Sequence, residues 1–194
     1  MAEASGDIVV NLDPGELYVS SRPAEIHTVL GSCVSIALFH PQRQLGAMSH
    51  GIFPFRECTH PPSGLKVCRS MGEYVSCSLK FMLAWFDHLG IPNRELDVKL
   101  FGGAMMFHLP GIPQASSTAI GRSNVETAMD MIRDKKLRLI SSDVGGPWGR
   151  KIIFHSGTGE VKLKRIRRTE LELTGEPKHP QGSRTRQRIR CRGK

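Results

Sequence analysis

The sequence has few cysteines and few aromatic residues. Its 194 residues include five cysteines, and aromatic residues make up 6% of the chain. The cysteine count is odd, and no two cysteines form a Cys-x-x-Cys pair. Small disulfide-rich domains carry a high density of paired cysteines, so the sequence argues against that class and favours reduced thiols in a reducing compartment.

Long apolar runs are also absent. No uninterrupted apolar stretch approaches the roughly 18 residues that a membrane-spanning helix needs. Residues 1–7 are acidic and polar, without the basic and apolar regions of a secretory signal. We therefore expect no membrane insertion and a cytoplasmic location.

The excess of positive charge is confined to one end of the chain. The formal net charge is +9, and residues 162–194 hold twelve basic and three acidic residues, so residues 1–161 are formally neutral. This distribution argues against a protein that coats nucleic acid with its whole surface. We predict one domain over residues 1–174 and a basic, disordered tail over residues 175–194.

The tail has basic residues at every second position from Arg184 to Arg192. A solvated segment without a partner is the simpler interpretation. Weak binding to nucleic acid, to an anionic membrane surface or to acidic protein segments is the alternative. The tail lacks aromatic residues for stacking on bases, so we predict no specific nucleic-acid partner.

Apolar patterning predicts about nine short strands and two substantial helices. A helical period covers residues 70–89, and Ser123 with Glu126 forms a capping box that predicts the start of a second helix. The predicted strands are residues 8–12, 17–20, 27–30, 34–39, 45–53, 96–101, 137–141, 151–155 and 160–165. Because most strands follow one another as hairpins, we predict an α+β fold, a layered sandwich of two mostly antiparallel β-sheets with helices packed on the outside.

One predicted hairpin brings a cysteine and a histidine close together. Cys33 begins its first strand, and His50 lies in its second strand. A two-residue turn would place Cys33 directly opposite His50, whereas a four-residue turn would make His50 its diagonal neighbour on the same face. A turn of odd length, or a bulge, would place the two side chains on opposite faces.

A thiol beside an imidazole is the arrangement of cysteine nucleophilic catalysis. Gly31 and Ser32 precede Cys33 at a corner between a loop and a strand, where backbone N–H groups could stabilise an oxyanion. The simpler interpretation is a small core cysteine and a core histidine. A metal site from Cys58, His60, Cys68 and Cys77 matches no zinc spacing, so ordinary cysteines are favoured and no metal is predicted.

Several motifs, taken in order, resemble the chemoreceptor glutamine deamidases of the CheD family. They are Thr28-Val-Leu-Gly-Ser-Cys33-Val, Leu45-Gly-Ala-Met-Ser-His50-Gly-Ile-Phe-Pro54, Lys99-Leu-Phe-Gly-Gly-Ala-Met105, Ile120-Gly-Arg-Ser-Asn124-Val, Asp143-Val-Gly-Gly-Pro-Trp-Gly-Arg150 and Gly157-Thr-Gly-Glu-Val-Lys162. The resemblance covers roughly residues 18–164, and the order of the motifs makes it specific.

The resemblance implies a cysteine-dependent glutaminase that hydrolyses glutamine side-chain amides in the cytoplasmic helices of chemoreceptors. It implies a papain-like set of Cys33, His50 and a third, orienting threonine, with no cofactor. The family's threonine lies five or six residues before the cysteine. Thr28 is five before and is our choice, whereas His27 occupies the position six before, and the break at Gly31 and Ser32 prevents strand alternation from deciding.

The same resemblance carries an alternative function, a binding module that regulates a CheC-type chemotaxis phosphatase with or without catalysis. The remaining motif residues have simpler interpretations. Gly102 and Gly103 could line the site or cradle an anion, but we expect them to form a tight turn. Asn124 and Asp143 could orient a substrate, but we expect Asn124 to lie at a helix start and Asp143 to lie in a turn.

Overall fold

The computed structural model describes residues 8–56, 70–105 and 114–167, with side chains from residue 119 onward in the last segment. The predicted tail at 175–194 lies outside the described residues. Cys58, His60 and Cys68, three of the four residues considered for a metal site, also lie outside them.

The described residues form nine strands, two α-helices and a short 3₁₀ helix at Asn93–Glu95. The strands are β1 (Ile8–Asn11), β2 (Leu17–Ser20), β3 (Ala24–Leu30), β4 (Val34–His40), β5 (Leu45–Ser49), β6 (Asp97–Gly102), β7 (Arg138–Val144), β8 (Gly149–His155) and β9 (Val161–Ile166). The helices are α1 (Val75–His88) and α2 (Gln114–Asp134). Within the part of the chain that the structure describes, no helix combines the length and the apolar character needed to cross a bilayer.

The strands form two sheets. One sheet has four strands in the order β1-β3-β8-β9, and the other has five in the order β2-β5-β4-β6-β7. The pairs β1–β3 and β6–β7 are parallel, and the other pairs are antiparallel. The predicted sandwich of two mostly antiparallel sheets is therefore confirmed, as is the predicted pairing of the Cys33 and His50 strands as a hairpin.

Both helices pack on the outer face of the five-stranded sheet. Helix α1 contacts β2, β4 and β5, whereas α2 contacts β4, β6 and β7. Side chains on the other face of that sheet, among them Ala37, Phe39 and Met48, pack between the sheets against Ile26 and Phe154. The central strand β4 is buried along its whole length, as a strand with a covered layer on each face must be.

The predicted start of the second helix is wrong. Helix α2 begins at Gln114, so Ser123, Asn124 and Glu126 lie in its interior, and Ser123 and Glu126 do not cap its first turn. The stretch before Ser123 is rich in small polar residues with modest helix propensity. Packing of α2 on the sheet overrides that local preference.

Candidate active site

The chain passes from the four-stranded to the five-stranded sheet in three residues, Gly31, Ser32 and Cys33, which join β3 to β4. Backbone hydrogen bonds hold this corner, since Ala104 donates its N–H to the Gly31 carbonyl and Gly103 donates its N–H to the Cys33 carbonyl, each at 2.8 Å. The predicted corner between a loop and a strand is therefore also a crossing between sheets.

The glycine after Phe101 permits the close approach of the chain to this corner. Gly102 has φ +106°, and a Cβ atom built there would lie 2.2 Å from the carbonyl oxygen of Cys33. Any larger residue would meet both a backbone clash and a strained conformation. Gly102 thus lets the end of β6 lie directly against the Cys33 backbone, which is closer to the site-lining alternative than to the expected tight turn.

The hairpin formed by β4 and β5 has a four-residue turn. Ala37 pairs with Met48, and Val34 pairs with Gly51, in one continuous register across the turn at residues 41–44. Cys33 therefore faces Ile52, and His50 is its diagonal neighbour on the same face of the sheet. Of the two registers considered, the four-residue turn is right and the two-residue turn is wrong.

The next inward position of β4 lies closer to the histidine. Ser35 stands directly opposite His50 in this register. The N–H of His50 donates to the Glu16 carbonyl, and its own carbonyl accepts from Gly15, both at 2.8 Å on the side away from β4. Relative to β4, His50 is thus in the position without ladder hydrogen bonds, where opposed side chains approach most closely.

Strand alternation separates the two candidates for the third residue. In β3, burial alternates so that Ile26, Thr28 and Leu30 point between the sheets. His27 points outward, where its Nε2 bonds a carboxylate oxygen of Glu25. Because His50 also points between the sheets, the structure brings Thr28 and not His27 to it.

The Thr28 hydroxyl joins two partners. Its Oγ1 lies 2.9 Å from the carbonyl oxygen of Leu12 and 2.7 Å from Nδ1 of His50. A carbonyl can only accept, so the single hydroxyl proton of Thr28 goes to Leu12 and the hydroxyl oxygen accepts from the imidazole. Nδ1 therefore carries the proton, and in the neutral ring Nε2 is left with a lone pair.

Burial keeps the imidazole neutral. His50 is 1% exposed, and burial lowers its pKa from 6.5 to about 4. The Leu12 carbonyl raises the pKa, but by less than burial lowers it. Charging the ring requires a nearby negative charge or a return to water. At neutral pH the ring is a proton acceptor at Nε2 rather than an imidazolium.

Cys33 differs from His50 in its exposure. It is partly exposed and packs at the edge of an apolar cluster formed by Leu30, Phe101 and Ile152. Cys33 is therefore closer to solvent than His50, which is buried within the sandwich.

Further polar atoms lie on the same inner face. Among the residues that the structure describes, Tyr18 Oη, Ser35 Oγ and His50 Nε2 are buried side-chain atoms without a hydrogen-bond partner. Tyr18 pairs with Met48, two residues before His50, so all three atoms belong to neighbouring inward-facing positions. Most buried polar groups in proteins have hydrogen-bond partners. These three neighbouring atoms, which lack partners among the described residues, therefore distinguish this part of the inner face.

Asn124 and Asp143 make hydrogen bonds to distant parts of the chain, beyond the local roles expected for them. Asn124 lies fully buried in α2 and donates from Nδ2 to the Ser32 and Ile52 carbonyls. Asp143 belongs to β7 rather than to a turn, and its carboxylate accepts from Arg150 and Arg165 of the other sheet. Both residues belong to the family-like motifs of the sequence, but their partners are distant from those motifs in the chain or in the other sheet.

The described residues offer no evident metal ligands. Within residues 8–56, 70–105 and 114–167, no group of three His, Cys, Asp or Glu side chains is arranged to hold a metal ion. Cys77, the described member of the set considered for zinc, is buried in α1.

Comparison with known proteins identifies close relatives. A family model described as CheD chemotactic sensory transduction matches residues 62–165, a segment that follows Thr28, Cys33 and His50. The chain is 36% identical to the probable chemoreceptor glutamine deamidase CheD of Maridesulfovibrio salexigens over 160 residues, 81% of this chain and 91% of that protein. It is 37% identical over 163 residues to the probable chemoreceptor glutamine deamidase CheD 2 of Geobacter sulfurreducens, covering 84% and 93% of the two chains. The corresponding protein of Nitratidesulfovibrio vulgaris is 37% identical over 166 residues, covering 84% and 80%.

Proposed function

Because the chain belongs to the CheD family, we propose that it hydrolyses the side-chain amides of glutamines in chemoreceptors, with Cys33 as the nucleophile. One observation carries the chemical part of this proposal. The Thr28 hydroxyl, held by the Leu12 carbonyl, fixes the proton of His50 on Nδ1 and leaves Nε2 as a base on the face that Cys33 shares.

In the acylation half of the reaction, the Cys33 thiol gives its proton to Nε2 of His50 as its sulfur attacks the amide carbon. The pKa of about 4 disfavours a lone imidazolium, so the imidazolium forms together with the negative charge that attack creates. The Ser32 and Cys33 N–H groups, at the corner opened by Gly31, stabilise the oxyanion. His50 then protonates the departing nitrogen, ammonia leaves, and a thioester remains.

In the deacylation half, His50 takes a proton from water as the water oxygen attacks the thioester carbon. The C–S bond breaks, the proton on Nε2 returns to the Cys33 sulfur, and the receptor leaves with a carboxylic acid that loses its proton to solvent and becomes glutamate. Throughout both halves the proton on Nδ1 stays there and is donated to the Thr28 oxygen in a hydrogen bond, so Thr28 orients the ring without exchanging protons with the substrate.

The direct test is mass spectrometry of a receptor cytoplasmic fragment incubated with the purified protein. The wild type should convert particular glutamines to glutamate, and Cys33→Ala should abolish the conversion. Cys77→Ala is the matched control, since it removes a buried thiol from α1 on the opposite face of the five-stranded sheet.

Equal conversion by Cys33→Ala and the wild type would contradict Cys33 as the nucleophile. A wild-type protein that converts no glutamine in any receptor fragment would contradict catalysis altogether. That second result would favour the alternative of a binding module that regulates a CheC-type phosphatase.

A further inference from the structure

Asn124 is a buried amide in the middle of α2. The residue is 0% exposed, and its Nδ2 group lies 3.1 Å from the Ser32 carbonyl oxygen and 2.8 Å from the Ile52 carbonyl oxygen. These partners are 92 and 72 residues away in the chain. A primary amide nitrogen has two hydrogens, so both are used.

The two carbonyls belong to the two halves of the candidate site. Ser32 immediately precedes Cys33, and Ile52 faces Cys33 across the hairpin, two residues beyond His50. One side chain therefore fastens the corner that carries the thiol to the strand that carries the imidazole. Asn124 lies on a third element, α2, and from there it sets the distance between the thiol and the imidazole.

The same bonds orient the backbone of the corner. Helix α2 holds the Ser32 carbonyl through Asn124, and Ala104 and Gly103 hold the Gly31 and Cys33 carbonyls on either side of it. In a trans peptide the N–H points opposite to the carbonyl of the preceding residue. Fixing the Gly31 and Ser32 carbonyls therefore directs the Ser32 and Cys33 N–H groups away from these partners.

The chemistry of this position suits an amide and few other side chains. A leucine of similar size would pack among the neighbouring apolar residues but would donate nothing. An aspartate would place negative oxygens against two carbonyl oxygens. None of the described residues bonds the Asn124 Oδ1 atom, so the contacts of this amide with the corner and the hairpin come from Nδ2 alone.

We propose that Asn124 is a positioning residue of the cysteine hydrolase site, which sets the Cys33–His50 geometry and the direction of the oxyanion-binding N–H groups through the Ser32 and Ile52 carbonyls. The inference rests on the proposed function for its catalytic consequence. It also predicts an effect on Cys33 itself that needs no receptor substrate.

The test compares Asn124→Leu and Asn124→Ala with Ala128→Gly, which loosens the same buried helix face one turn later without touching either carbonyl. Circular dichroism establishes the temperature at which each variant is folded. The rate of Cys33 alkylation by iodoacetamide is followed across pH by peptide mapping, and deamidation of a receptor fragment gives kcat and KM.

We expect both Asn124 variants to slow Cys33 alkylation at neutral pH by about tenfold or more and to move the midpoint of the rate profile to higher pH. We expect kcat to fall by a similar factor while KM changes little, and Ala128→Gly to change neither quantity. Wild-type alkylation rates in either Asn124 variant would overturn the positioning role, as would an equal effect of Ala128→Gly.

Two further outcomes separate the inference from the proposed function. If the wild type fails to deamidate but the Asn124 variants change Cys33 alkylation as described, the positioning role stands and the deamidase proposal fails. If neither Asn124 variant folds while Ala128→Gly does, Asn124 is a structural residue and the inference is contradicted.

Discussion

At the scale of single residues, one hydroxyl determines which nitrogen of His50 carries the proton. Thr28 has one proton to donate and gives it to a carbonyl, so its oxygen must accept from Nδ1 of His50. The sequence left His27 as an alternative to Thr28 because the corner at Gly31 and Ser32 interrupts strand alternation. The alternation of side chains within β3 decides between the two residues, because Thr28 points between the sheets and His27 points outward.

Removal of the Thr28 hydroxyl should uncouple the His50 ring from the Leu12 carbonyl with little change in side-chain size. We expect Thr28→Val to lower kcat for glutamine deamidation by roughly 10- to 1,000-fold, because Nδ1 loses its acceptor and the ring loses its fixed tautomer. Thr28→Ser keeps the hydroxyl and should stay within a few-fold of the wild type. A Thr28→Val enzyme with wild-type kcat would show that the ring is oriented by something else.

The buried histidine should also make the fold sensitive to acid. The folded-state pKa of His50, about 4, lies below its ordinary value of 6.5, so the unfolded chain takes up the proton first as pH falls. The free energy of unfolding is therefore unaffected by His50 above about pH 6.5 and decreases as pH falls towards 4.

Urea denaturation at two pH values measures this effect. Between pH 7.5 and 4.5 we expect the wild type to lose about 2–3 kcal/mol more unfolding free energy than His50→Gln, whose side chain does not titrate. Equal losses in the two proteins would mean that His50 is solvated or paired when charged.

At the scale of elements, the sequence predicts what is local. The hairpin of β4 and β5 and the core of α1 follow from apolar periodicity within short windows, and both are observed. The beginning of α2 did not follow, because Ser123 and Glu126 match a capping box that the folded helix does not use. The order β1-β3-β8-β9 joins strands more than a hundred residues apart and has no local signal.

The role of Asn124 shows the same limit in the site. A motif placed it among the family-like residues, but its function depends on carbonyls of Ser32 and Ile52 that any residue type would supply. Every residue has a backbone carbonyl, so the sequence does not indicate which carbonyls a side chain will bond. The Asn124 amide could therefore be singled out from the sequence, but its carbonyl partners could not be predicted.

Gly102 offers a test of how the end of β6 supports the cysteine. We expect Gly102→Ala to destabilise the protein severely and to abolish activity, since its Cβ would overlap the Cys33 carbonyl. Gly90→Ala is the matched control, because Gly90 has φ +72° and open space around the Cβ position. It should cost about 1–2 kcal/mol for its backbone conformation alone.

Thermal melts of both variants, with Cys33 alkylation in whatever remains folded, separate the clash from the conformational strain. Equal melting temperatures for Gly102→Ala and Gly90→Ala would show that the corner can shift without cost.

At the scale of the whole molecule, a carboxylate connects the two sheets beside the site. Asp143 of β7 accepts from Arg150 of β8 and from Arg165 of β9, and Arg150 is 3% exposed. Burial alone raises the pKa of Asp143, but the hydrogen bonds and charges of the two arginines together lower it below its ordinary value. Its stabilising effect is thus complete at neutral pH and is lost as acid protonates it.

Asp143→Asn leaves Arg150 buried without its counter-charge. We expect a loss of about 3 kcal/mol in unfolding free energy at neutral pH, because an unpaired buried cation is costly. Asp130→Asn is the control, since Asp130 pairs with Arg133 on the exposed surface of α2 and should contribute less than about 1 kcal/mol. Urea denaturation measures both, and similar losses would show that the Asp143 pair is as well solvated as a surface pair.

Thr28 belongs to the four-stranded sheet, whereas Cys33 and His50 share a hairpin of the five-stranded sheet. That hairpin is formed by neighbouring residues and can assemble early during synthesis, when the other sheet still lacks β8 and β9. Until β3 packs against this hairpin, the Thr28 hydroxyl does not reach Nδ1 of His50 and does not fix the tautomer of the imidazole. The proposed activation of Cys33 by His50 therefore requires the two sheets to be packed together, and a chain whose sheets have separated holds an ordinary thiol at this position.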